Sequence, residues 1–105
     1  MWFIMKALGA GIMKYEAKAD QSSKRAGKLP GYNLGIVYLV LNAGDAVPAT
    51  VDLLTQETSS SKAANTLNIG AGNSGKRIAV SMYWKHKTNP ALDGPKSSIQ
   101  VVLIG

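Results

Sequence analysis

This chain should form an all-β domain, a small antiparallel sandwich of about six or seven strands. Three observations support this. Short runs rich in β-branched and aromatic residues recur at regular spacing. Several of them alternate apolar and polar side chains with a period of two. The segments between them are dense in Gly, Pro, Asn, Asp and Ser, the residues that close turns.

Residues 1–11 are apolar but broken by Lys6, and they suit either a strand or a helix weakened by Gly9 and Gly11. In residues 12–19, Lys14, Glu16 and Lys18 alternate with Met13, Tyr15, Ala17 and Ala19, which predicts an amphipathic strand with one wet face. Asp20 to Gly31 reads as a basic loop. Leu34 to Leu41 is apolar on both faces and is the strongest candidate for a buried strand. Ala46 to Thr55 alternates through Val47, Ala49, Val51 and Leu53, and Pro48 marks it as an edge strand or strand start. Gln56 to Asn65 is polar and Ser-rich, a loop or a single helical turn. A short strand at 66–69, a strand at 77–86, a turn at 88–95 and a closing strand from Ser97 to Ile104 complete the order.

Gly70-Ala-Gly-Asn-Ser-Gly-Lys-Arg77 fits G-x-x-x-x-G-K but ends in Arg77, where a P-loop needs a hydroxyl for Mg²⁺. Gly70, Gly72 and Gly75 also satisfy the G-x-G-x-x-G dinucleotide fingerprint. Both motifs need a helix leaving the loop, because its N-terminus points N–H groups and a positive dipole end at phosphate. Here the exit, with Ile78, Val80, Met82 and Trp84 alternating against Ala79, Ser81, Tyr83 and Lys85, reads as a strand. The loop is therefore expected to be a hairpin connection, with phosphate binding through Gly70–Lys76 the least favoured function.

The 105 residues make one domain, with an apolar arm at 1–11 and the sandwich at 12–105. There is no cysteine, which excludes a disulfide scaffold and a thiol nucleophile, and no cofactor or metal is expected. The single histidine, His86, lies between two lysines and is expected to be solvated. Asp45, Asp52, Glu57 and Asp93 fall in or beside turns, and closing those turns is the default role for Asp45 and Asp93. No Ser-His-Asp arrangement has a recognisable context, so the chain reads as non-enzymatic with no small-molecule substrate. The apolar start lacks the layout of a signal peptide and is too short to span a bilayer. Composition indicates no compartment.

The net charge of +6 is uneven: residues 1–30 and 62–105 are basic, while residues 31–61 carry only the acids Asp45, Asp52 and Glu57. Lys24, Arg25, Lys28, Lys76, Arg77, Lys85 and Lys87, with Trp84, are the candidate contacts to nucleic acid or another acidic partner. Tyr83 and Trp84 point to opposite faces of their strand, so at most one is expected to be exposed.

The segment Ile78–Lys85, a Pro/Gly turn and Lys96–Gly105 resembles the last hairpin of an immunoglobulin- or fibronectin-like sandwich. More narrowly, Tyr83, Trp84, Ser97, Ser98, Leu103 and Gly105 are similar to the end of the C-terminal β-sandwich in a family of uncharacterised Bacteroidota proteins. That resemblance covers at most residues 34–105, lacks the family's glycine-rich N-terminal region, and implies a fold without an activity. The expected function is a structural or interaction module that self-assembles as a coat, filament or decoration subunit. Trp2, Phe3, Ile4 and Met5 are the candidate arm donated to a neighbouring copy. A basic nucleic-acid-binding domain is the alternative.

Overall fold

The first two strands, β1 (Trp2–Gly9) and β2 (Ile12–Lys18), fold back on each other through a tight Gly9-Ala10-Gly11 turn in which all three residues have positive φ. The computed structural model describes residues 1–18, 27 and 30–105. The remaining strands are β3 (Tyr32–Leu41), β4 (Gln56–Ser60), β5 (Ala64–Asn68), β6 (Arg77–His86) and β7 (Gln100–Leu103). They form a three-stranded sheet, β1-β2-β5, and a four-stranded sheet, β4-β3-β6-β7, with every pairing antiparallel. The all-β sandwich expected from the sequence is the observed fold.

The main core fills the space between the sheets. Phe3 and Met5 of β1 and Met13, Tyr15 and Ala17 of β2 face Leu34 and Ile36 of β3. Ile78, Val80, Met82 and Trp84 of β6 join them, with Ile104 beyond β7. Alternation puts these side chains on one face of each strand. A second apolar cluster covers the opposite face of the four-stranded sheet, where Val37, Leu41, Ala79 and Tyr83 meet Leu54 and the half-buried Ile99. This double covering explains why β3 and β6 are apolar on both faces.

Five expectations are corrected. The N-terminal run is β1 of the chain's own sheet, with Phe3 and Met5 in its own core, because their alternation matches the inward face of the hairpin. Ala46 to Thr55 is not a strand: it runs as a loop into a 3₁₀ turn at Val51–Leu53, leaving Val47 and Leu53 exposed. The place beside β3 is taken by β4, whose polar Gln-Glu-Thr-Ser-Ser sequence reads as a loop or a single helical turn. An edge strand draws its pairing from backbone groups, so a polar sequence can hold it. The glycine-rich segment is not a hairpin, since β5 and β6 lie in different sheets and residues 69–76 cross between them. The closing strand is shorter than expected, because Ser97 does not extend the β7 ladder. Instead its N–H donates to Met82 O (2.8 Å) and its Oγ accepts from Met82 N (3.0 Å).

Candidate functional site

The glycine-rich crossover is built inward. Gly70 N donates to Asn68 Oδ1, Asn73 N to Gly70 O, Ser74 N to Ala71 O, and Lys76 N to Asn73 O. Gly75 N donates to Ile104 O at 2.8 Å, and Ile104 N returns a bond to Lys76 O at the same length. A phosphate cradle needs such N–H groups converging on open space. Here they are spent on carbonyls and a side-chain amide, and the exit is β6, a strand. The Lys76 ammonium sits 3.4 Å from Asn73 Oδ1. The segment ties the C-terminal strand to the rest of the sandwich.

The basic residues singled out in the sequence that the structure describes, Lys76, Arg77, Lys85 and Lys87, do not converge. Arg77 opens β6 and donates from Nη2 to Asp45 O at 2.8 Å. Lys85, near the other end of β6, sits 3.8 Å from Glu57. Eight residues of strand hold the two roughly 26 Å apart. Lys87 is exposed just beyond β6. Lys24, Arg25 and Lys28 lie outside the described residues. Trp84 is 7% exposed in the main core and Tyr83 is 5% exposed in the second cluster, so neither offers a face for a base to stack on. Trp84 is thus corrected from a candidate contact to a core residue.

A polar group the sequence did not bring together lies on the outer side of the four-stranded sheet. The Tyr83 ring packs on the bare backbone of Gly35, directly opposite on β3, where a Cβ would overlap it. The Tyr83 hydroxyl donates to Glu57 Oε1 at 3.0 Å, and Lys96 Nζ lies 5.5 Å from the ring centroid. Beside them, Val51, Tyr83, Asp93, Gly94 and Lys96 line an open depression of about 370 Å³. Both carboxylates are engaged, Glu57 with Tyr83 and Lys85, and Asp93 as acceptor from His86 N at 2.7 Å. His86, half-exposed, also organises a turn: its Nδ1 accepts from Asn89 N at 2.9 Å, and its ring meets Tyr32 edge-on. Asp45 closes its own turn, accepting from Asn42 N at 2.8 Å. No three metal-ligating side chains gather among the described residues.

Burial, then the hydrogen bond to Glu57, then the charges of Glu57 and Asp93 push the Tyr83 phenol from 10.0 up to about 12. The neutral phenol is therefore favoured in the fold. Its contribution to stability is complete below pH 10 and is lost as pH climbs through about 12. Ultraviolet titration should show a phenolate step near pH 12 that is missing in Tyr83→Phe and moves to lower pH in Glu57→Gln.

Among the described residues the four-stranded sheet ends at β7, which pairs only with β6. Its Val101 and Leu103 stand on the outer face, 40% and 64% exposed, beside the second apolar cluster. Residues 97–105 contain no charge and no proline. The other edge strands carry protection: Lys6 in β1, Glu57 in β4, and two asparagines and a threonine in β5. No protein-family model, curated protein or solved structure matches this chain. Any functional reading must therefore rest on its own surfaces.

The face of β1 and β2 that points away from the core carries a second feature that the sequence reading missed. Lys6 lies directly opposite Lys14, Ile4 opposite Glu16 and Trp2 opposite Lys18. The alternation of Lys14, Glu16 and Lys18 was visible in the sequence. Its alignment with Lys6 depends on the register set by the Gly9–Gly11 turn.

Proposed function

We propose that the chain is a non-catalytic interaction module, an immunoglobulin- or fibronectin-like sandwich that self-associates as a coat, filament or decoration subunit would. Lettering the strands A, B, C, C′, E, F and G in chain order puts A, B and E in one sheet and C′, C, F and G in the other. Immunoglobulin-type domains likewise separate B and E from C, F and G, which supports that reading. The observation that carries self-association is β7, an uncharged edge strand that pairs with no strand beyond β6 among the described residues and leaves Val101 and Leu103 exposed, while its Gln100 side chain reaches Phe3 O of β1. An unpaired strand edge is a template for another strand, and two copies of β7 placed antiparallel would be a self-complementary contact. This edge replaces the N-terminal arm as the assembly element, since β1 is already spent within its own sheet.

Light scattering across a concentration series should show a multimer that dissociates in the double variant Val101→Lys, Leu103→Lys. A strict monomer at all concentrations, or a multimer indifferent to that variant, would overturn the reading. The nucleic-acid alternative draws no support from its described residues, because Arg77 and Lys85 lie far apart and Trp84 is buried.

A further inference from the structure

The two sheets differ in how their outer faces are finished. The four-stranded sheet is covered by Leu54 and Ile99. On the three-stranded sheet, Ile4, Lys6, Leu8 and Lys14 are exposed. From this face we infer a second binding surface, independent of the β7 edge, that docks on an anionic lipid bilayer.

Edge protection accounts for Lys6 and not for the cations gathered on this face of the described residues. Lys6 and Lys14 face each other across the β1–β2 ladder, where like charges are destabilising. Neither has an ion-pair partner among the described residues, where Lys85–Glu57 is the ion pair within 4.0 Å. Lys18 adds a third cation, its Nζ 5.6 Å from the centroid of the Trp2 ring. Glu16 is the one acid of this hairpin face. A shallow depression of about 220 Å³ opens between Ile4, Lys6, Lys14 and Glu16.

The apolar members decide which anion fits. Ile4 is 46% exposed on the same side of β1 as Lys6, and Leu8, 55% exposed, stands next along the strand where the β1–β2 register shifts. A nucleic-acid backbone would neutralise the lysines and leave these two aliphatic side chains in water. A bilayer interface satisfies both kinds of group: acidic headgroups attract the lysines while the acyl boundary takes up Ile4 and Leu8. Tryptophan is the side chain enriched at that interface, and Trp2 lies on this face half-buried.

The test is co-sedimentation with phosphatidylcholine vesicles, with and without phosphatidylserine, at 0.15 M salt. Partition should require phosphatidylserine. It should fall about tenfold or more in Lys14→Glu, since each lysine near such a surface contributes appreciably and reversal adds repulsion. Ile4→Ser with Leu8→Ser should weaken it several-fold. Lys14→Glu also places an acid opposite Lys6, so its melting temperature should hold or rise, separating lost binding from lost folding. Failure to partition, equal partition without phosphatidylserine, or indifference to Lys14→Glu would overturn the inference. So would binding of a single-stranded oligonucleotide that is lost in Lys14→Glu but unaffected by the serine variants, which would assign the face to nucleic acid.

Discussion

Replacing Phe3 with alanine should destabilise the domain by about 3–5 kcal/mol, the usual cost of a cavity left by a buried aromatic. Phe3 is 1% exposed in the main core, and its strand is held by β2 along its length. Since small domains are stable by only about 5–15 kcal/mol, the variant should unfold at a much lower denaturant concentration, whatever the protein concentration. A donated arm would behave differently: truncating it would weaken assembly and leave the monomer's unfolding midpoint unchanged. Urea titration of Phe3→Ala at two protein concentrations separates these cases. Deleting residues 1–5 should likewise unfold the domain, because the deletion removes half of β1 and two core side chains.

The second large effect is expected at Gly11. Its φ of +76° is one that L side chains rarely adopt, and a Cβ there would run into the backbone carbonyl of Gly70. Its N–H donates to Gly105 O at 3.0 Å and its carbonyl accepts from Ile69 N at 2.8 Å. The hairpin turn, the crossover and the C-terminal strand thus meet at one residue. Gly11→Ala should cost about 3 kcal/mol or more, combining left-handed backbone strain with a clash that only main-chain movement relieves. Gly44→Ala is the control: φ there is +86° and nothing lies within 4 Å of the added carbon. It should show the backbone cost alone, about 1–2 kcal/mol. Equal destabilisation by the two substitutions would mean that the close approach at Gly70 carries no energy.

The elements most legible in the sequence were those whose burial imposes a pattern. β2 alternates because one of its faces is wet, and the central parts of β3 and β6 carry apolar residues on both faces because both faces are covered. β6, which leaves the glycine segment, was legible as a strand from its period-two alternation, and that was sufficient to set aside the nucleotide motifs. β4 was not legible, since a polar edge strand held by backbone pairing carries no periodic signal. Residues 46–55 misled in the opposite direction: their alternation exists, but Pro48 lacks the N–H a ladder uses and β4 occupies the position beside β3.

The candidate surfaces were less legible than the fold, because each depends on register. Tyr83 finds Glu57 only because both β6 and β4 pair with β3. Lys6 finds Lys14 only through the turn at Gly9–Gly11. Arg77 and Lys85 look close in the sequence, yet an extended strand holds them far apart.

The linkage between the two ends of the described chain has a consequence for how the domain reaches its native state. Gln100 Nε2 bonds Phe3 O at 2.8 Å, and Gly105 lies against Ala7 and Gly9, so the β1–β2 hairpin is locked to β7 only when a segment nearly the whole length of the chain away has arrived. Closing so long a loop carries its entropy cost before the contacts repay it, which slows folding to the millisecond-to-second range of all-β topologies. Until it closes, the uncharged Gln100–Leu103 segment lacks the cover of β1. Lys96 is then the nearest charge to guard it, so the yield of refolding should depend on dilution more steeply than the native stability would suggest.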